Sequence, residues 1–356
     1  SSDVCSSDLG EHRWMFIATY LIYGQWKRHV YAGITHLADA YTISGDVAYA
    51  RKAGILIDRL ADLYPTFDFE QQGVLYEKKP DFGYITNWHD ACKEVCLIAL
   101  AYDQIRPALL EDREYVSFVQ SQQKRYQLTF SKSTAAEIAA HIENRIFRDT
   151  QQNIPKIKSN FPGQEITLIT LEAVLSQTLD TEQIARMIDD MLEEATAVNG
   201  VTGEKGLAGY SAIVLHMLAE FLATLDRMSP GFLAKQLERH SDLARTYRFH
   251  IDSWCLDRFY PRVGDNGYFG SEELAYRGLP LDGHISLGAS TNVFLWRLYE
   301  LTGDADYARV LYRNNDRSTR GLPYELTETD PESFQTGVQR AIDKHGEKLN
   351  TGSINF

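Results

Sequence analysis

The stretch Ala40-Tyr41-Thr42-Ile43-Ser44-Gly45-Asp46-Val47-Ala48-Tyr49-Ala50-Arg51 decides the fold. It recurs as Leu298-Tyr299-Glu300-Leu301-Thr302-Gly303-Asp304-Ala305-Asp306-Tyr307-Ala308-Arg309. Tyr, Gly, Asp, Tyr, Ala and Arg match at equal spacing. Each copy reads as a helical hairpin: one helix ends, glycine takes the left-handed turn, and aspartate caps the next helix. The following Tyr and Ala then pack the second helix against the first. Two such hairpins near opposite ends of one chain predict a closed or nearly closed ring of helix pairs.

Outward from the repeat, helical periodicity continues. Val47, Ala50, Ala53, Ile57, Leu60, Ala61 and Tyr64 mark one face of a helix that stops at Pro65. Ala91, Val95, Ile98, Ala99, Tyr102 and Ile105 mark another, expected to end before Pro107. Tyr210, Ile213, Val214, Met217, Leu218, Phe221, Leu222 and Leu225 form the clearest stripe. Thr134 with Glu137, and Asp180 with Gln183, have capping-box spacing. Asn199-Gly200 supplies a helix stop. Residues 154–164 read as a loop entering a helix near Ile166. Residues 260–286, rich in Gly, Pro and Asp, are too long for a mere connector. Strand-type alternation is scarce before the last residues. The predicted fold class is mainly α, an (α/α) toroid or incomplete barrel of helical hairpins.

Composition bounds the function. With 24% charged and 44% hydrophobic residues the 356-residue chain has the balance of a globular protein. No stretch approaches the roughly 20 apolar residues of a membrane span. A net charge of −13 argues against a general nucleic-acid partner. It leaves room for an anionic polysaccharide, because a local pocket can be basic on an acidic protein. Four cysteines are too few for a disulfide framework. Cys92 and Cys96 read as small hydrophobes on one helix, and no set of His and Cys completes a metal site. Residues 1–9, SSDVCSSDL, are polar and aperiodic, without the build of a signal peptide. They read as a non-native leader, which places the helical domain at 10–350 and the natural start outside the sequence.

Four stretches have chemistry to offer. Gly200-Val201-Thr202-Gly203-Glu204-Lys205-Gly206-Leu207-Ala208-Gly209-Tyr210 lacks the Gly-Lys-Ser/Thr ending of a phosphate loop and follows a helix rather than a strand. Its glycines either bring the backbone close to a ligand and deliver Tyr210 to a helix mouth, or Tyr210 simply opens the apolar stripe as core. In Lys158-Ser159-Asn160-Phe161-Pro162-Gly163-Gln164-Glu165, the amides of Asn160 and Gln164 could face substrate. Asn before Pro and Gly is equally ordinary turn chemistry. Tyr84-Ile85-Thr86-Asn87-Trp88-His89-Asp90 could stack and bind a sugar through Tyr84, Asn87, Trp88 and His89, or supply a core tryptophan and a helix cap. Pro261-Arg262-Val263-Gly264-Asp265-Asn266 offers Asp265 to substrate, and its ligand count is poor for calcium. His29 and His36, seven apart, read as buried or rim residues rather than ligands.

These stretches together carry a resemblance. Gly45-Asp46, Tyr49-Ala50 and Leu63-Tyr64-Pro65 look like the early hairpin of the heparinase II/III-like and alginate lyase group of polysaccharide lyases. The Trp88-to-Asp103 helix looks like the part that follows it. Ser159-Asn160, Gly203-Glu204 with Gly209-Tyr210, and Pro261 with Gly264-Asp265 then follow in that group's order, and the similarity spans roughly Trp26 to Arg313. In such proteins a helical toroid precedes an antiparallel β-sandwich domain, so the resemblance implies a chain truncated before that domain, with 351–356 at the junction. It implies β-elimination on an acidic, uronate-containing polysaccharide or oligosaccharide, without cofactor or metal, in a periplasmic or secreted setting. Asn160 matches the residue that neutralises the uronate carboxylate. Tyr210 matches the catalytic tyrosine that protonates the leaving oxygen and in some members also takes the C5 proton. A tyrosine of ordinary pKa, ~10, is already protonated for the acid role and would need a lowered value as a base. The candidate substrate contacts are Tyr84, Asn87, Trp88, His89, Gln164, Glu204 and Asp265.

The sequence departs from the group where many members place histidine after that asparagine: here stands Phe161. A second catalytic histidine normally comes from the β domain. Two other readings stay open. One is a glycoside hydrolase using Glu204 and Asp265 as its carboxylate pair. The other is a sugar-binding protein without catalysis.

Overall fold

A computed structural model of the chain describes residues 6–9, 12–15, 25–67, 88–198, 200–203, 206, 210–254, 261, 263–264, 288–325, 328 and 330–350. For 6–9, 12–15 and 88–90 it describes the backbone alone. The chain is mainly α, in two compact units, Ser1–Ile184 and Ala185–Phe356.

The first unit opens with an unexpected antiparallel pair, β1 (Ser6–Leu9) and β2 (His12–Met15), with Leu9 opposite His12. A π-helical turn, Lys27–Tyr31, leads into α1 (Ala32–Ser44). Gly45 then takes φ 69° and donates its N–H to Tyr41 O at 2.8 Å. The Asp46 carboxylate accepts from Ala48 N at 2.9 Å and starts α2 (Val47–Leu63). Ala50, Ala53, Ile57, Leu60, Ala61 and Tyr64 are buried as the periodicity predicts, and Pro65 opens a short 3-10 turn.

The next helix, α3 (Trp88–Glu111), runs through Pro107 instead of ending before it. Proline inside a helix costs about 3 kcal/mol. Opposing that, Leu109 is buried so closely over Gly54 that a Cβ there would stand 2.7 Å from both of its methyls. Burying a leucine contributes about 1.5–3 kcal/mol. Asp112 then caps α4 (Arg113–Tyr126) at once, accepting from Glu114 N and Tyr115 N. Arg51, the last residue of the repeated motif, donates to Asp112 at 2.7 Å and so joins α2 to that cap.

Thr134 accepts from Glu137 N and starts α5 (Ala135–Ile142), which passes through a π-helical turn, Glu143–Arg148, into α6 (Asp149–Gln152). The Glu137 carboxylate takes the Ser133 N–H, so the capping box is made one residue further back. A 3-10 turn, Ile154–Ile157, precedes α7 (Gly163–Ser176), which starts three residues before the expected Ile166. Helix α8 (Glu182–Ala195) is capped by Thr181, which accepts from Ile184 N, and not by Asp180. The boundary between the units falls inside α8.

The second unit carries α9 (Tyr210–Met228), α10 (Phe232–Arg239), α11 (Asp242–Asp252), α12 (Ala289–Thr302), α13 (Ala305–Asn314) and α14 (Pro331–His345). The α12–α13 hairpin reproduces the first in detail: Gly303 has φ 73° and bonds to Tyr299 O, and Asp304 accepts from Asp306 N. Ser44 and Thr302 each accept from the N–H of the capping aspartate that follows. The copies differ at the second tyrosine. Tyr307 is 1% exposed and donates to Ala244 O of α11, whereas Tyr49 is 36% exposed. The expected tyrosine packing therefore holds in the second copy alone, while Ala50 and Ala308 are buried in both. Among the described residues no helix is long and apolar enough to cross a membrane.

Candidate functional site

Helix α9 buries most of the expected stripe, Val214, Leu218, Phe221, Leu222 and Leu225, together with residues beside it. The buried line runs Ser211, Val214, Leu215, Leu218, Leu222 and Leu225, while Tyr210, Ile213 and Met217 are only half-buried. The departure is at the start of the helix, where the polar Ser211 is buried and Tyr210 is half-buried. Tyr210 is thereby removed from the core and sits at the rim of the helix mouth.

Ser211 can be buried because its hydroxyl is satisfied. Thr202 donates to Ser211 Oγ at 2.9 Å, and Ser211 Oγ shares a second hydrogen bond with His250 Nε2 at 3.2 Å. Thr202, Ser211 and His250 are 5%, 2% and 0% exposed. Burial pushes the His250 imidazole down to a pKa of about 4, so the ring is neutral at physiological pH. The same loop is bolted at three more points. Thr246 donates to Gly200 O, Ser211 N–H donates to Gly206 O at 2.8 Å, and Gly206 forms an isolated antiparallel bridge with Gly264. Gly200 has φ 81°, and a Cβ there would press on Asp242 Cβ at 3.2 Å, so glycine is required. The Gly206–Gly264 bridge thus ties the Gly-rich loop before α9 to the stretch that opens at Pro261.

In the first unit, Asn160 is exposed at the turn before α7, its carbonyl accepting from Gly163 N at 2.8 Å across a cis Phe161–Pro162 bond. Its backbone thus does the work of a turn, and its side-chain amide stays accessible. Gln164 is half-buried on the first turn of α7. Beneath the loop, Cys92 donates to Gly163 O at 3.1 Å and meets the Thr167 hydroxyl at 3.1 Å; Cys96 lies 3.6 Å from Thr170. Burial pushes the Cys92 thiol up to about 12 and raises Cys96 as well. These thiols are unreactive pins between α3 and α7, as expected of small buried residues.

No family model matches the chain. It is 29% identical over 126 residues to a UPF0735 ACT domain-containing protein of Acetivibrio thermocellus, a match that covers 35% of this chain and 78% of that one. That likeness assigns no family and does not touch the lyase resemblance.

Of the residues singled out from sequence, Asn160 and Gln164 come together at the start of α7, and Tyr210 stands at the start of α9. Trp88 and His89 begin α3, with their side chains outside the described residues. Tyr84, Asn87, Glu204, Asp265 and residues 351–356 also lie outside them. His29 and His36 are exposed, which fits rim rather than core. Among the described residues no three His, Cys, Asp or Glu side chains gather as a metal site. Sequence reasoning missed Thr202, Ser211 and His250 as a group. Thr246 and His250 sit one helical turn apart on α11, yet nothing local shows that they face a distant loop.

Proposed function

We propose that this chain is the helical part of a polysaccharide lyase that cleaves an acidic, uronate-containing polysaccharide by β-elimination. The C5 proton is removed beside a carboxylate, and the O4 leaving group departs with a proton. The charge that builds up on the carboxylate needs neutral or cationic donors nearby. Asn160 offers an exposed amide for that task, and Tyr210 offers a phenol as the acid for O4. Both roles are those that the lyase resemblance implies for these two residues. The observation that supports this reading is the place of Tyr210, half-buried at the start of α9 beside the buried Ser211.

The test is the ultraviolet absorbance of unsaturated uronate ends when the intact gene product meets alginate, heparan-type and other uronate polymers. Tyr210 and Asn160 variants are run alongside. A glycoside hydrolase is the competing reading. The Gly206–Gly264 bridge favours it in one respect, since it joins the stretches in which Glu204 and Asp265 occur. Hydrolysis releases reducing ends without an unsaturated sugar, so the two chemistries separate in one assay. Retention of an acidic oligosaccharide with neither product would support binding without catalysis, the outcome to which Phe161 points.

A further inference from the structure

The Thr202–Ser211–His250 group joins a buried titratable ring to the residue next to Tyr210. Its parts come from three places: the Gly-rich loop, the first turn of α9 and the last turn of α11. A serine bonded to a histidine suggests nucleophilic catalysis. Burial rules that out here, since Ser211 is as enclosed as the core leucines around it and no substrate atom can reach its oxygen. The cluster must act, if at all, through what it holds.

What it holds is the residue before Ser211. Adjacent helical residues project about 100° apart around the axis, given 3.6 residues per turn. Locking Ser211 inward therefore sets the direction in which Tyr210 leaves the helix. An apolar residue at 211 would bury as well but would leave rotation and tilt of the first turn to packing alone. Hydrogen bonds of 2.9 and 3.2 Å, from two elements at once, define that turn in both senses. The Ser211 N–H to Gly206 O bond fixes the same turn from the backbone side.

We propose that His250 is a positioning residue: through Ser211 and Thr202 it holds the first turn of α9 so that Tyr210 presents its phenol to the substrate. This rests on the reading of Tyr210 as the catalytic acid. Catalytic groups must be held within about 0.5 Å and 10–20° of their productive geometry. A misplacement of about 1 Å can cost about 100-fold in rate. A neutral ring suits the role, because it shares a hydrogen bond with Ser211 without bringing a buried charge next to the loop.

The experiment uses the intact gene product with four variants. His250→Leu removes the bond to Ser211. His250→Gln keeps an amide in its place. Ser211→Ala removes the link from the other side. Leu233→Ala opens a cavity elsewhere in the same unit, at a buried position of α10, and serves as the control for general destabilisation. Kinetics on the preferred uronate polymer are read as kcat and KM separately, with Tm beside them. The proposal expects His250→Leu and Ser211→Ala to lose about 100-fold in kcat, with KM nearly unchanged. His250→Gln recovers most of that loss, and Leu233→Ala lowers Tm without lowering kcat.

If His250→Leu fails to fold, Ser211→Ala decides. A kcat near wild type in either variant, where Tyr210→Phe is dead, overturns the positioning role and leaves the lyase reading standing. Wild-type turnover by Tyr210→Phe overturns both. Fluorine spectra of 3-fluorotyrosine-labelled protein give a readout independent of turnover. The resonance that Tyr210→Phe deletes should move or split in His250→Leu and stay in place in Leu233→Ala; an unmoved resonance in His250→Leu contradicts the proposal.

Discussion

Lys132 reaches across 74 positions of sequence to Asp58, Nζ to Oδ2 at 2.8 Å, and both side chains are buried. The same ammonium bonds Asp62 at 2.8 Å, which also meets His141 Nε2 at 3.0 Å. Burial raises the Asp58 carboxyl above its usual range despite Lys132. At Asp62 burial pulls in the same direction, but hydrogen bonds from His141 and Lys132 hold the carboxyl below that range. One cation thus compensates two carboxylates and pins the segment before α5 to α2.

Removing that cation leaves Asp58 buried without its ion-pair partner, while Asp62 keeps His141 and Arg59. Breaking one side of a buried pair typically costs about 3–5 kcal/mol. We expect Lys132→Ala to lose stability of that order, read by urea denaturation of the chain. A loss under about 1 kcal/mol, the scale of a surface pair, would show that the cluster is solvated.

The repeated hairpins make a paired prediction. Gly45 and Gly303 have φ 69° and 73°, and the space around each is open. The cost of a Cβ is therefore conformational alone, about 1–2 kcal/mol per residue. Gly45→Ala and Gly303→Ala should each lower stability by that amount, measured by thermal or urea unfolding. A neutral effect at either position would mean that the left-handed turn is not held in that copy.

A third expectation concerns pH. His250 titrates at about 4 in the folded chain, below its ordinary value of 6.5. Above pH 6.5 the ring is neutral whether the chain is folded or not, and its contribution is fully present. As pH falls from 6.5 to 4 the unfolded chain takes the proton first, and stability is lost, by about 3 kcal/mol in all. His250→Gln should unfold with a correspondingly flatter pH profile between 4 and 6.5. Parallel profiles for wild type and variant would contradict the neutral, buried ring.

How far the sequence could be read follows from the range of the forces involved. The hairpins at Gly45-Asp46 and Gly303-Asp304 were legible because the left-handed glycine and the aspartate cap act within a few residues. The end of α3 was not, because what carries it past Pro107 is the fit of Leu109 over Gly54, a residue of another helix far back in the sequence. Tyr49 and Tyr307 have equivalent local sequence and opposite burial; only α11, which covers Tyr307, distinguishes them. At the candidate site, Tyr210 and Asn160 could be picked out by residue type and by resemblance. The burial of Ser211 at the start of α9 could not, since apolar periodicity does not register a serine buried by hydrogen bonds. His250 was invisible for the same reason: its partner lies 39 positions away.

The account stands most directly on Tyr210. The measurement is the initial rate of ultraviolet absorbance from unsaturated uronate ends, for the intact gene product and its Tyr210→Phe variant, with folding checked by circular dichroism. Residues 10–356 alone are assayed beside them. We expect the wild type to generate the absorbance, Tyr210→Phe to lose nearly all of it while keeping its helical spectrum, and residues 10–356 to show little or none. Wild-type turnover by Tyr210→Phe would contradict the central claim.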